Sequence, residues 1–95
     1  ALDQAEFHGY WFDNAVRSQS AGVYASYYTW KNSSPYRVVL VVGNISRDTL
    51  PASLILDNQR LNIEPEAVWT DLETGKELQK NFNLPGNHFR LIGIR

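Results

Sequence analysis

Residues 37–57 read Arg-Val-Val-Leu-Val-Val-Gly-Asn-Ile-Ser-Arg-Asp-Thr-Leu-Pro-Ala-Ser-Leu-Ile-Leu-Asp, and they constrain the fold more than any other stretch. Val38 to Val42 follow one another without a polar residue, so an extended segment there is apolar on both faces. That is the pattern of a central strand covered on two sides. Asn44 to Thr49 then supplies a polar turn, and Pro51 stands at a strand start, where a missing N–H is tolerated. Beyond it Ala52, Leu54 and Leu56 alternate with Ser53, Ile55 and Asp57. A doubly apolar strand, a turn and an alternating strand belong to the middle of an antiparallel β-sandwich. Each apolar side chain of the first strand contributes roughly 1.5–3 kcal/mol if fully buried. A charge at Val41 is therefore expected to unfold the domain.

Further strand signals recur along the chain. Residues 23–30, Val-Tyr-Ala-Ser-Tyr-Tyr-Thr-Trp, are β-branched and aromatic with no helical period. Tyr27 and Tyr28 fall on opposite faces of that strand. Residues 67–71 carry Val68 and Trp69, and residues 88–95 set Phe89, Leu91 and Gly93 against Arg90, Ile92 and Ile94. Asp57-Asn58 reads as a turn, followed by a short piece marked by Leu61 and Ile63. Gly75 suits the left-handed position of a short hairpin loop, and Leu84-Pro85-Gly86-Asn87 reads as the last turn. No long helix is expected. The fold class is all-β, an antiparallel β-sandwich of about seven to eight strands.

Ninety-five residues form one domain, residues 1–95, with 43% hydrophobic residues to build a single core. Residues 1–22 read as an aromatic lead-in and linker-like segment. The chain begins at Ala1 and contains no methionine, which reads as a piece, C-terminal in origin, of a larger protein. A net charge of −1 with scattered basic residues argues against nucleic acid and against an electrostatic membrane surface as partners. No apolar run approaches the length of a membrane span. The lack of cysteine removes disulfides, thiolate metal sites and cysteine nucleophiles, and suits either side of a membrane.

Nothing in the sequence assembles chemistry. His8 and His88 have no ligand spacing around them, so no metal is expected and a hydrogen-bonded role is the simpler account. Asp71 and Glu73 flank a hairpin turn, where acidic residues form turns rather than a glycosidase pair. The six glycines are isolated, which leaves no phosphate loop, and no cofactor is expected. Asn32-Ser33-Ser34 and Asn44-Ile45-Ser46 fit the glycan-acceptor pattern and are read as turns. The aromatic residues remain. Phe7, Tyr10, Trp11 and Phe12 cluster within six residues, either as a first strand packed on the core or as an exposed patch that docks on a partner. Trp11, Trp30, Trp69 and the tyrosines either fill the core, which is favoured, or build a sugar-stacking platform. The candidate interface or sugar-stacking residues are Phe7, Tyr10, Trp11, Phe12, Trp30 and Tyr36.

Two passages carry a family resemblance. One is 37–57, a hydrophobic strand ending in Gly-Asn-Ile-Ser. The other is Ala67-Val-Trp-Thr-Asp-Leu-Glu-Thr-Gly-Lys-Glu-Leu followed by Leu84-Pro-Gly-Asn-His-Phe-Arg-Leu-Ile. In this order they resemble the C-terminal β-sandwich of (β/α)8-barrel glycoside hydrolases, closest to enzymes of the β-N-acetylgalactosaminidase type and their uncharacterised relatives. Phe7-His8-Gly9-Tyr10-Trp11 is similar to the lead-in between barrel and sandwich. The resemblance covers about residues 6–94 and implies a non-catalytic accessory domain whose partner is the catalytic domain of the same parent chain. No catalytic residue is carried over, because in such enzymes the carboxylates lie on the barrel. Carbohydrate as a direct ligand, and a protein-interaction or adhesion module, are the alternative readings.

Overall fold

The computed structural model describes residues 5–11, 15–30 and 35–95. Nine strands and one turn of helix follow in order: β1 (Ala5–His8), β2 (Val16–Ser18), β3 (Val23–Trp30), β4 (Val38–Asn44), β5 (Leu50–Leu56), α1 (Asn58–Leu61), β6 (Trp69–Asp71), β7 (Glu77–Leu78), β8 (Asn81–Leu84) and β9 (His88–Ile94). They form two antiparallel sheets, one of order β1-β3-β4-β9-β6-β7 and a smaller one of order β2-β5-β8. The all-β sandwich read from the sequence is the fold, with nine strands among the described residues rather than seven to eight.

The core lies between the sheets. The larger sheet contributes Val23, Ala25 and Tyr27 from β3, Val38, Leu40 and Val42 from β4, Trp69 from β6, and Ile92 and Ile94 from β9. The smaller sheet meets them with Val16, Ala52 and Leu84. Leu40 of β4 and Ile92 and Ile94 of β9 are wholly buried. β4 is central, paired with β3 on one side and β9 on the other. In the smaller sheet β2 pairs with residues 54–56 of β5 and β8 with residues 50–53. Pro51 therefore has a ladder partner only on the β8 side, which its missing N–H permits.

Four local features differ from expectation or add to it. Residues 15–22, read as linker-like, contribute β2 and the buried Ala15 and Val16. The piece around Leu61 is helical: the Asp57 carboxylate caps it by accepting from Arg60 N at 3.1 Å, and Asn62 ends it in the left-handed region at φ 55°. β7 and β8 were not apparent as strands because they are short and polar. Val41 faces outward and is only half-buried, unlike its neighbours Leu40 and Val42. A long charged side chain there reaches water, so the expected unfolding by a charge belongs to Leu40 instead.

The turn at Gly75 holds as read, whereas Asp57-Asn58, read as a turn, caps and opens α1. Gly75 has φ 75°, and its N–H donates to the Asp71 carbonyl at 2.7 Å, closing the β6–β7 hairpin. The Asp71 carboxylate accepts from Glu73 N at 2.9 Å within the same turn and lies 3.7 Å from the Arg90 guanidinium. Asn44 is the hub between two turns. Its amide donates to the carbonyls of Asp48 (2.9 Å) and Leu84 (2.8 Å), while its Oδ1 accepts from Ser46 N (2.9 Å) and Ser46 Oγ (2.8 Å). Asn44 is buried, and its side-chain amide serves the fold. Asn32 lies outside the described residues.

Candidate functional site

Strand alternation divides the larger sheet into two faces. The face turned away from the core carries Phe7 from β1; Tyr24, Ser26, Tyr28 and Trp30 from β3; Val39, Val41 and Gly43 from β4; and Phe89, Leu91 and Gly93 from β9. These four strands place no charged residue on it. No second layer of the described residues lies over this face; aromatic rings cover part of it. A side chain added at Gly93 would strike the Tyr36 ring at 2.5 Å, and one at Gly43 would strike Phe89 at 2.8 Å. The two glycines thus let rings lie directly on the backbone. Tyr36 is also placed 5.8 Å beneath the Arg95 guanidinium.

At the β1 side the rings form a continuous chain. Tyr24 and Tyr10 have centroids 4.8 Å apart, Tyr10 and Trp11 5.0 Å, Trp11 and Phe7 6.2 Å, and Phe7 and Tyr28 5.1 Å. The Tyr10 backbone N–H donates to Ser26 Oγ at 3.1 Å, which ties the segment after β1 down onto the sheet. Successive rings are inclined by 46° to 89°, so they make a ridged surface rather than one plane.

Phe7, Tyr10, Trp11, Tyr24, Phe89 and Leu91 keep 48, 50, 61, 40, 70 and 39% of their surface exposed. At roughly 200 Å² for a whole aromatic side chain, these six present on the order of 600 Å². One partner contributes about 800 Å² to an interface of standard size. A charge-free centre rich in Tyr, Trp and Phe is also the composition of interface cores.

Of the six residues picked from the sequence, Phe7, Tyr10 and Trp11 come together in this chain of rings. Trp30 and Tyr36 lie on the same face toward its other end, each half-buried. Phe12 lies outside the described residues. Tyr24 and Tyr28, which the sequence offers only among the tyrosines of a platform, also belong to the surface, and Phe89 and Leu91 were missed. Phe89 depends on the β4–β9 register, which opposes it to Gly43. By contrast Trp69 and Tyr27 are core.

The histidines have structural surroundings. His8 Nε2 lies 3.0 Å from Thr29 Oγ1, and its ring stacks on Tyr27 at 4.4 Å and 7°. His88 Nδ1 lies 2.7 Å from the Gly86 carbonyl. Among the described residues no three His, Asp or Glu side chains come close enough together to hold a metal ion. Compared with protein families, curated proteins and solved structures, the chain matches none.

Proposed function

We propose that this chain is a non-catalytic accessory domain that docks by the outer face of its six-stranded sheet onto a catalytic domain of the same parent protein. The observation that supports the reading is the charge-free aromatic surface running from Phe7, Tyr10 and Trp11 across to Phe89 and Leu91. Isolated surface aromatics are ordinary, but a contiguous patch of this size on a sheet face is the mark of a contact site. The sequence resemblance supplies the kind of partner, a (β/α)8 glycoside hydrolase barrel. Docking stabilises the barrel, since a partner that binds only the folded form shifts unfolding by mass action.

The coding sequence adjoining these 95 residues provides the first test. An open reading frame that continues into a barrel agrees with the proposal; a frame without any further domain contradicts it. The second test is enzymatic. The purified chain is expected to leave aryl galactosides and aryl N-acetylhexosaminides intact. Turnover that disappears on replacing a carboxylate of this chain would overturn the non-catalytic reading.

A further inference from the structure

The two edges of the six-stranded sheet differ. At one, β7 is two residues long and offers little to pair with. At the other, β1 runs for four residues in unbroken register with β3, from Ala5 opposite Trp30 to His8 opposite Tyr27, with no bulge and no proline. Among the described residues β3 is its one ladder partner. Along an antiparallel strand alternate residues turn their N–H and C=O to the other side, so β1 carries a row of backbone donors and acceptors along its outer edge. Such an edge is a template for a further strand.

The described chain that follows β1 turns onto the sheet and not over this edge. Tyr10 N donates to Ser26 Oγ of β3, and its ring meets Tyr24. The Trp11 indole folds back over Gly9, where a Cβ would come within 2.7 Å of it. On β1 itself Glu6 and Phe7 are exposed. His8 is fixed in place, with Nε2 3.0 Å from Thr29 Oγ1 and its ring flat on Tyr27.

We infer that β1 is a pairing edge for a second copy of this chain: two β1 strands join antiparallel about a twofold axis and merge the two larger sheets into one. The side chains select the register, because opposite residues of an antiparallel pair share a face. An axis through Glu6 opposes the two Glu6 carboxylates, which repel. An axis through His8 opposes two imidazoles and sets Glu6 against Tyr10, which has already left the strand. An axis through Phe7 opposes the two Phe7 rings on the outer face. It also sets each Glu6 opposite the second copy's His8 on the inner face, a carboxylate acceptor against an imidazole. A charge on an edge strand guards against indiscriminate pairing, and Glu6 rejects every register but the one that gives it a partner. Four residues a side are few beside the roughly 20–30 of a standard interface, so the free chain forms a weak dimer, with a Kd on the order of 1 mM. The pairing uses the strand edge and leaves the outer face open beyond Phe7, so it stands or falls independently of the docking proposal.

The test is sedimentation equilibrium of the chain at concentrations up to about 2 mM, where a dimer of that affinity is well populated. Glu6→Lys and His8→Glu should each weaken the dimer by about tenfold or more, since the first removes the acid opposite His8 and the second places two acids opposite each other. An equimolar mixture of the two variants should dimerise again, because the new lysine then faces the new glutamate while the unchanged Glu6 and His8 face each other. Leu91→Lys, on the outer face, should leave the dimer intact. The inference is overturned if the chain stays monomeric throughout, if both β1 variants dimerise as the unaltered chain does, if their mixture fails to restore the dimer, or if Leu91→Lys abolishes it. That last result would move the self-contact to the outer face, whereas an intact edge dimer beside an outer face that contacts no other domain would count against docking alone.

Discussion

The two faces of the six-stranded sheet are built from the same strands by alternation, yet they follow opposite rules. On the inner face Val38, Leu40, Val42, Ile92 and Ile94 are at most traces exposed, and with the buried Tyr27 and Trp69 they form the core shared with β2, β5 and β8. On the outer face several aromatic rings stay partly exposed beside Val41 and Leu91, glycines at 43 and 93 lie under rings, and Phe89 keeps most of its surface in contact with solvent. The difference teaches that the outer face is not a poorer core. It is a surface whose rings are seated on the backbone of a sheet already stabilised from the other side, so its residues are available for contact without being needed for folding.

Substitutions should separate the faces. The largest effect is expected at Leu40: Leu40→Ala should cost about 2–5 kcal/mol in chemical denaturation, and Leu40→Asp should leave no folded population. Next comes Asn44→Ala, which removes four hydrogen bonds and strands the buried Leu84 carbonyl. A loss of about 2–3 kcal/mol is expected, readable as a lower denaturation midpoint with an unchanged slope. Gly75→Ala places a Cβ at φ 75° in an open turn, and should cost about 1–2 kcal/mol through backbone strain alone. On the outer face the changes should be small. Val41→Lys should cost about 1 kcal/mol, and Phe89→Ala less than about 0.5 kcal/mol. A loss at Phe89 comparable with that at Leu40 would break the distinction between the faces.

The same contrast explains what the sequence made legible. β4 could be read because five consecutive apolar residues leave one fold class open, and Gly75 because a tight hairpin needs its φ. β2, β7 and β8 could not. Each is two to four residues long and largely polar, and each owes its extended form to the partner strand. The one-turn helix did carry a signal, Asp57 before it and Asn62 after it, but a single turn has no period to detect. For the site, the cluster at Phe7, Tyr10 and Trp11 was visible because its members are close in sequence. Tyr24 and Phe89 join it through strand register, a long-range property that no local pattern encodes. Val41 was misjudged for a related reason: its hydrophobicity is plain, but which face it occupies depends on register.

Hydroxyl-radical footprinting, read residue by residue by mass spectrometry, tests the docking surface directly by comparing the 95-residue chain with the larger protein that the docking proposal requires. Phe7, Trp11, Phe89 and Leu91 should label strongly in the isolated chain and be protected in the parent, while Ile45 and Ile55, exposed elsewhere on the domain, label equally in both. Equal labelling of the four outer-face residues in the two proteins, or protection confined to Ile45 and Ile55, would contradict the account.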